Sequence, residues 1–259
     1  MLKTWEWYPS VVVGCALLAA AYGVLVRPLR PLRVLSFLGG TLLLLLTLVG
    51  PLDGLGDEYL FSAHMLEHLM LLVAVPPLLI LGIPPEAASR LLEFKPAAAV
   101  ERLLNRPALA WLLAMSVLYL WHVPTLYNAT LADERVHIFE HLSFLVTATI
   151  FWWPVLAPLR RHRLRGPFAI LYLFLAAVAN SVLGAILTFA KPGLYPLYDR
   201  PANGSTELRF IREVWGLDPA ADQQLGGLFM WVVGGFFFLL AILGMYARWY
   251  RESGSEGTP

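Results

Sequence analysis

The sequence predicts an all-α polytopic membrane protein, a bundle of seven transmembrane helices with its N-terminus outside and its C-terminus in the cytoplasm. Three observations predict it. Of 259 residues, 58% are hydrophobic and 14% charged, with a mean hydropathy of +0.65. Soluble chains carry roughly 25% charged residues. Seven apolar segments follow one another, each close to the span of about 20 residues that a bilayer-crossing helix needs. Lysine and arginine, finally, are unequally shared between the connections on the two sides.

The segments lie at 9–26, 34–50, 60–81, 107–123, 137–158, 167–190 and 225–247, within a single domain over 1–250 that is followed by a polar tail, 251–259. The first ends on Ala19-Ala20-Ala21, which could be mistaken for a signal-peptide cleavage site. However, Lys3 alone precedes it, offset by Glu6, while Arg27, Arg30 and Arg33 follow. A cleavable signal has the reverse charge order, so an uncleaved first span is expected. Proline marks many of the ends: Pro28 and Pro31, Pro51, Pro124, and Pro158 with Pro167. The third segment contains Pro76-Pro77, which predicts a kink whose freed carbonyls are satisfied by neighbouring groups. Residues 86–106 alternate leucine pairs with Arg and Glu, the pattern of a cytoplasmic interfacial helix. The exterior loop 191–224 is long enough to suggest a function. The Gly-Gly pairs fall within apolar segments, where they allow close helix packing. Trp121, Trp152, Trp153, Tyr195, Tyr198 and Trp249 are expected at the membrane interfaces.

With these segments, thirteen Lys and Arg fall on one side and six on the other. The positive-inside rule then sets the orientation given above. A net charge of +1 implies no nucleic-acid partner, and the lone Cys15 excludes a disulfide framework or a multi-thiolate metal site.

Histidine is where the sequence becomes specific. His162 belongs to a basic cytoplasmic loop, but His64, His68, His122, His137 and His141 all map to the outer leaflet on three spans. His64/His68 and His137/His141 are i, i+4 pairs, about 40° apart around a helix and about 6 Å along it, so each pair can chelate one metal. Both read His-x-x-Glu-His, which puts Glu67 and Glu140 in reach as further ligands or as supports for the imidazoles. Any one of these histidines alone could be a hydrogen-bonded packing residue; two pairs and a fifth at matching depth point to metal or haem ligation. Imidazoles with thioethers suit Cu(I), and imidazole with carboxylate also suits zinc. Met65, Met70 and Met230 are the thioether candidates, with Met115 two turns deeper than His122, and each alone reads first as packing or lipid-facing filler. Asp222 could hydrogen-bond an imidazole or serve as a helix N-cap. Asn180, Ser181 and Thr188 are the other polar residues of the sixth span.

Phe61-Ser62-Ala63-His64-Met65-Leu66-Glu67-His68-Leu69 running on to Pro76-Pro77, Trp121-His122-Val123-Pro124 with Tyr127, His137-x-x-Glu140-His141, and Asp222-Gln223-Gln224-Leu225-Gly226-Gly227 before Met230-Trp231 together resemble the CtaG family of cytochrome c oxidase assembly factors. The resemblance covers residues 35 to 247. It implies a multi-pass protein of the bacterial plasma membrane, not an enzyme, that handles copper for the buried copper centre of a haem-copper oxidase. Its partners would be the oxidase catalytic subunit, the lipid bilayer and an upstream copper donor. Three alternatives follow from the residues: a non-covalent haem-binding electron carrier, a metalloenzyme using the inverted zincin pattern, and a copper transporter.

Overall fold

The computed structural model describes residues 5, 7–27, 30–199 and 206–255, and among these there are helices and no strand. Lys3, Glu6, Pro28, residues 200–205 of the exterior loop and 256–259 of the tail lie outside them. The helices are α1 (Pro9–Leu25), α2 (Pro31–Val49), α3 (Pro51–Glu58), α4 (Phe61–Gly82), α5 (Pro85–Glu93), α6 (Lys95–Leu104), α7 (Pro107–Trp121), α8 (Pro124–Ala132), α9 (Glu134–Leu156), α10 (Gly166–Phe189), α11 (Thr206–Glu213) and α12 (Pro219–Ser253).

Most of the prolines that mark segment ends in the sequence open the next helix. Pro31, Pro51, Pro124 and Pro167 each sit in a first turn, where no backbone N–H is missed and a fixed φ suits the helix. Pro51 thereby starts α3 where a loop was expected, and Pro124 starts α8.

Five runs are long and apolar enough to cross a bilayer: 31–58 (α2 with α3), α4, α9, α10 and α12. A sixth is obtained if α6 and α7, which meet at a 76° bend, count as one broken span. The sequence expectation was seven. The difference lies in α1 and α7, of 17 and 15 residues: Pro9 and Pro107 start them, and extended backbone at Val26 and Val123 closes their ends. The leucine-rich 86–106 stretch forms two short helices, broken at extended Phe94 ahead of Pro96.

Outward-facing side chains of the long helices are apolar, among them Leu42 and Leu46, Phe174, Val178 and Ile186, and Leu239 and Leu243. Apolar patches this extensive are tolerated against lipid, not against water. Inside, Phe61, Met65, Leu69, Phe144, Phe151, Leu173 and Met230 share the main core.

Two π-turns interrupt the long helices, and both are stitched by a buried polar side chain. In α4 the turn Met70–Ala74 precedes Pro76, which cannot donate to the carbonyl of Leu72; the Trp152 indole donates to that oxygen at 2.8 Å. This is the repair the sequence predicted. In α12, Phe229–Val233 forms the second turn, and Asn180 Nδ2 donates to the Met230 carbonyl at 2.5 Å. α10 and α12 approach so closely that a Cβ at Gly227 would lie 2.4 Å from Thr188, and one at Gly184 2.5 Å from the Trp231 nitrogen.

The aromatic belt expectation is corrected at four of six residues. Trp121, Trp152, Tyr195 and Tyr198 are buried in protein, because each polar tip finds a partner inside the bundle: Ser143, Leu72, His122 and Gly56 respectively.

Candidate metal centre

Three helices bring the acids and imidazoles together. α4 projects His64, Glu67 and His68 from one face, since i, i+3 and i+4 positions align along a helix. α9 does the same with His137, Glu140 and His141. Short α3 folds back along the start of α4, and its own i, i+4 pair, Asp53 and Asp57, faces the same space. Gly56 permits that approach: a Cβ there would stand 3.0 Å from the His64 backbone.

Within each His-x-x-Glu-His motif the acid was expected in reach of the imidazoles, as a ligand or a support. The structure crosses them. Glu140 on α9 places Oε2 3.6 Å from His64 Nε2 and Oε1 3.5 Å from His68 Nε2, both on α4. Glu67 on α4 places Oε1 3.8 Å from His141 Nδ1 on α9. Asp57 reaches both helices, with Oδ1 3.7 Å from His64 Nδ1 and Oδ2 3.3 Å from His137 Nδ1. His137 Nε2 and His141 Nε2 are 3.0 Å apart.

The Glu140 contacts, at 3.6 and 3.5 Å, match the spacing of two ligands around one metal ion. Two ligand atoms each about 2.0–2.2 Å from a tetrahedral ion lie roughly 3.3–3.6 Å from each other. Both ring nitrogens of His64 and of His68 and both Glu140 oxygens are buried and have no hydrogen-bond partner among the described residues. Such groups normally have one, so this concentration marks a site shaped for something else. Two sets have ligand atoms mutually within 4.8 Å: His64, His137, Glu140 and His141; and Asp57, His64, Glu67 and His137.

The other predicted residues are placed as follows. His68 lies outside both sets but faces Glu140. His122 sits beside it, ring centres 5.4 Å apart, and donates from Nδ1 to the Leu118 carbonyl at 2.7 Å, leaving Nε2 facing inward without a partner. Asp222 is not near an imidazole in any hydrogen bond. Its carboxylate accepts from the Phe61 and Ser62 backbone N–H groups at 2.7 and 3.1 Å and from the Ser62 hydroxyl at 2.5 Å. It therefore caps α4 from another helix, fixing the first turn of the helix that carries His64 and His68. Met65 and Met230 are fully buried in the apolar core.

Sequence reasoning missed Asp53, Asp57 and the aromatic roof. Tyr127 packs against His64 with ring centres 5.2 Å apart, its hydroxyl 3.1 Å from that of Tyr198. Tyr195 donates to the His122 carbonyl at 2.9 Å and Tyr198 to that of Gly56 at 2.6 Å, so the segment after α10 closes over the cluster. Burial pushes both of these loop phenols up, and they stay protonated donors. Toward the side, a cleft of about 120 Å³ opens between α1 and α9, with Asp53, His137 and His141 at its floor and Leu142 and Leu145 on its wall.

An all-helical membrane protein with a buried cluster of histidines and carboxylates that could hold a metal ion is the class these features define. More particularly, the chain belongs to the family of cytochrome c oxidase caa3 assembly factors, Caa3_CtaG, whose model matches residues 14–252. Uncharacterized proteins of Mycobacterium bovis and Mycobacterium tuberculosis are each 26% identical over 277 aligned positions, covering 97% of this chain and 40% of theirs. One from Mycobacterium leprae is 25% identical over 238, covering 85% and 34%. The chain thus spans well under half the length of these curated relatives. No solved structure matches it.

Proposed function

We propose that this protein holds a copper ion as cargo in the outer half of the bacterial plasma membrane and delivers it to the buried copper centre of a haem-copper oxidase catalytic subunit during assembly. The family supports the assembly role. The observation that carries the copper is the buried cluster itself, with its partnerless imidazole and carboxylate atoms at ligand-to-ligand spacing. In this reading α1 and α7 complete seven spans: at about 1.5 Å per residue α1 reaches roughly 26 Å, close to a hydrocarbon core of about 30 Å. The excess of Lys and Arg on one side keeps the N-terminus outside and the C-terminus in the cytoplasm. An upstream donor would load the site from the outer face.

Carboxylates in the set favour a divalent ion, Cu(II) or Zn(II), alongside Cu(I), because hard oxygen donors suit harder ions. Histidine ring centres 4.0–5.6 Å apart, closed in by Tyr127 and Phe144, disfavour a haem between them.

The test is elemental and spectroscopic analysis of the detergent-purified chain, alone and with His64→Ala/His68→Ala or His137→Ala/His141→Ala. Copper is expected near one equivalent in the wild type and at background in both double variants, with the copper resonance showing whether it is Cu(II). Unchanged copper in both would refute the proposal. Cells lacking the protein should retain oxidase polypeptides that are deficient in copper.

A further inference from the structure

The two ligand sets share His64 and His137, and the manner of sharing has consequences. Each of these imidazoles turns Nδ1 toward Asp57, at 3.7 and 3.3 Å. Each turns Nε2 the other way, His64 toward Glu140 at 3.6 Å and His137 toward His141 at 3.0 Å. A neutral imidazole has one nitrogen lone pair for a metal and one N–H on the other nitrogen. An ion on the Asp57 side therefore needs the opposite tautomer from an ion on the Glu140 side, and while the rings stay neutral the two positions cannot both draw on them.

Exposure differs along the same line. The Asp57 side chain is 28% exposed and that of His137 10%, whereas those of His64 and Glu140 are 0%. His137 and His141 both line the cleft between α1 and α9. Of the two carboxylates, an ion shedding its water meets Asp57 first and Glu140 last.

We propose that the cluster is a single-ion hand-over site with two alternating positions: an outer loading position at Asp57, Glu67, His64 and His137, and an inner holding position at Glu140, His64, His137 and His141. This rests on the copper-handling function above. At each shared ring the transfer breaks a metal bond to Nδ1 and forms one to Nε2. Each ring gives its Nε2 proton to water and takes one from water on Nδ1, so that Asp57 leaves the ion, and Glu140 meets it, as carboxylates. No net proton is consumed and the oxidation state of the ion is unchanged. With the ion inside, Asp57 is left as acceptor for the two Nδ1–H groups, the usual arrangement that orients a ligating imidazole. Asp57 is thus a ligand during loading and a positioning residue afterwards, and release to a client reverses the path.

The experiment loads the full-length detergent-purified chain with copper alone, following uptake by competition with a chromophoric chelator and final content by elemental analysis. Wild type, Asp57→Asn and Asp57→Glu should each reach one copper per chain. Asp57→Asn should load at least tenfold more slowly and Asp57→Glu near the wild-type rate, a split that a merely structural aspartate would not produce. Glu140→Gln should keep copper at least a hundredfold more weakly and exchange it rapidly, from the loading position. Two coppers per wild-type chain would overturn the alternation. Asp57→Asn loading at the wild-type rate, or binding none at equilibrium, would overturn the loading role. If the wild-type chain binds no copper, the proposed function fails too, an outcome distinct from either of these.

Discussion

The two ends of α9 carry the same chemistry in opposite states. At its C-terminal end, Glu101 of α6 accepts from the Trp153 indole at 3.1 Å and from His162 Nδ1, and His162 Nε2 in turn accepts from Arg161 at 2.8 Å. One oxygen of the acid and both imidazole nitrogens are engaged. At its N-terminal end, Glu140 and the imidazoles it faces are more deeply buried and unengaged. A buried polar group without a partner costs about 1–3 kcal/mol, more if charged. The first arrangement is a clasp, fastening the amphipathic α6 to the bundle. The second stores an unfavourable free energy that a bound metal would discharge. A carboxylate near a histidine therefore says little by itself; the degree to which the pair is already satisfied separates structure from site.

The largest effect that would break this contrast is at Glu140. Glu140→Leu should remove at least a hundredfold in copper affinity while leaving the metal-free protein about as stable as before, since a buried acid whose oxygens have no hydrogen-bond partner is replaced by an apolar side chain. The wild type should gain thermal stability on loading, by about 2.7 kcal/mol at a hundredfold excess over Kd. The variant should gain none. Thermal unfolding in detergent with and without copper reads both quantities, and a strongly destabilised metal-free variant would show that Glu140 is structural.

Glu101 should behave in the reverse manner. Glu101→Ala strands the Trp153 and His162 donors, and a loss of about 1–3 kcal/mol is expected with copper content unchanged. Limited proteolysis between α5 and α7 would report whether α6 has come loose. Copper loss in this variant would mean that the two ends are coupled, contrary to the reading of Glu101 as a local clasp.

How much of this was legible in the sequence follows from the range over which each interaction acts. The histidine pairs could be read because i, i+4 spacing is a local property of a helix and because hydropathy sets depth. The Pro76 repair could be foreseen as a need, but not its agent, since Trp152 lies on another helix. The crossing of Glu67 and Glu140 was hidden for the same reason: only the packing of α4 on α9 decides which acid meets which imidazole. Asp53 and Asp57 were lost because α3 is short and polar and reads as a loop. Pro51 at its start, with two acids at the same i, i+4 spacing as the histidines, was the signal available. Asp222 was weighed as a cap or an imidazole partner, and it caps, though for α4 and not for its own helix. Spans one and four coincide with α1 and α7 almost residue for residue, but at 17 and 15 residues these helices are shorter than the other long helices and the fold alone does not mark them as crossings.

The smallest expected effect sharpens the comparison most, because it tests which donor atoms make up the site. Thioethers made Cu(I) attractive in the sequence, yet Met65 and Met230 are fully buried among apolar neighbours of the core. Methionine is a pliable filler in such places, and a Leu of similar volume costs under about 1.5 kcal/mol. Met65→Leu and Met230→Leu should therefore keep one copper per chain, with affinity within about threefold of wild type and only slight loss of stability. A tenfold or larger drop in Cu(I) affinity, with Cu(II) affinity unaffected, would instead put a thioether on the ion. The cage would then be a softer one than its histidines and carboxylates alone describe.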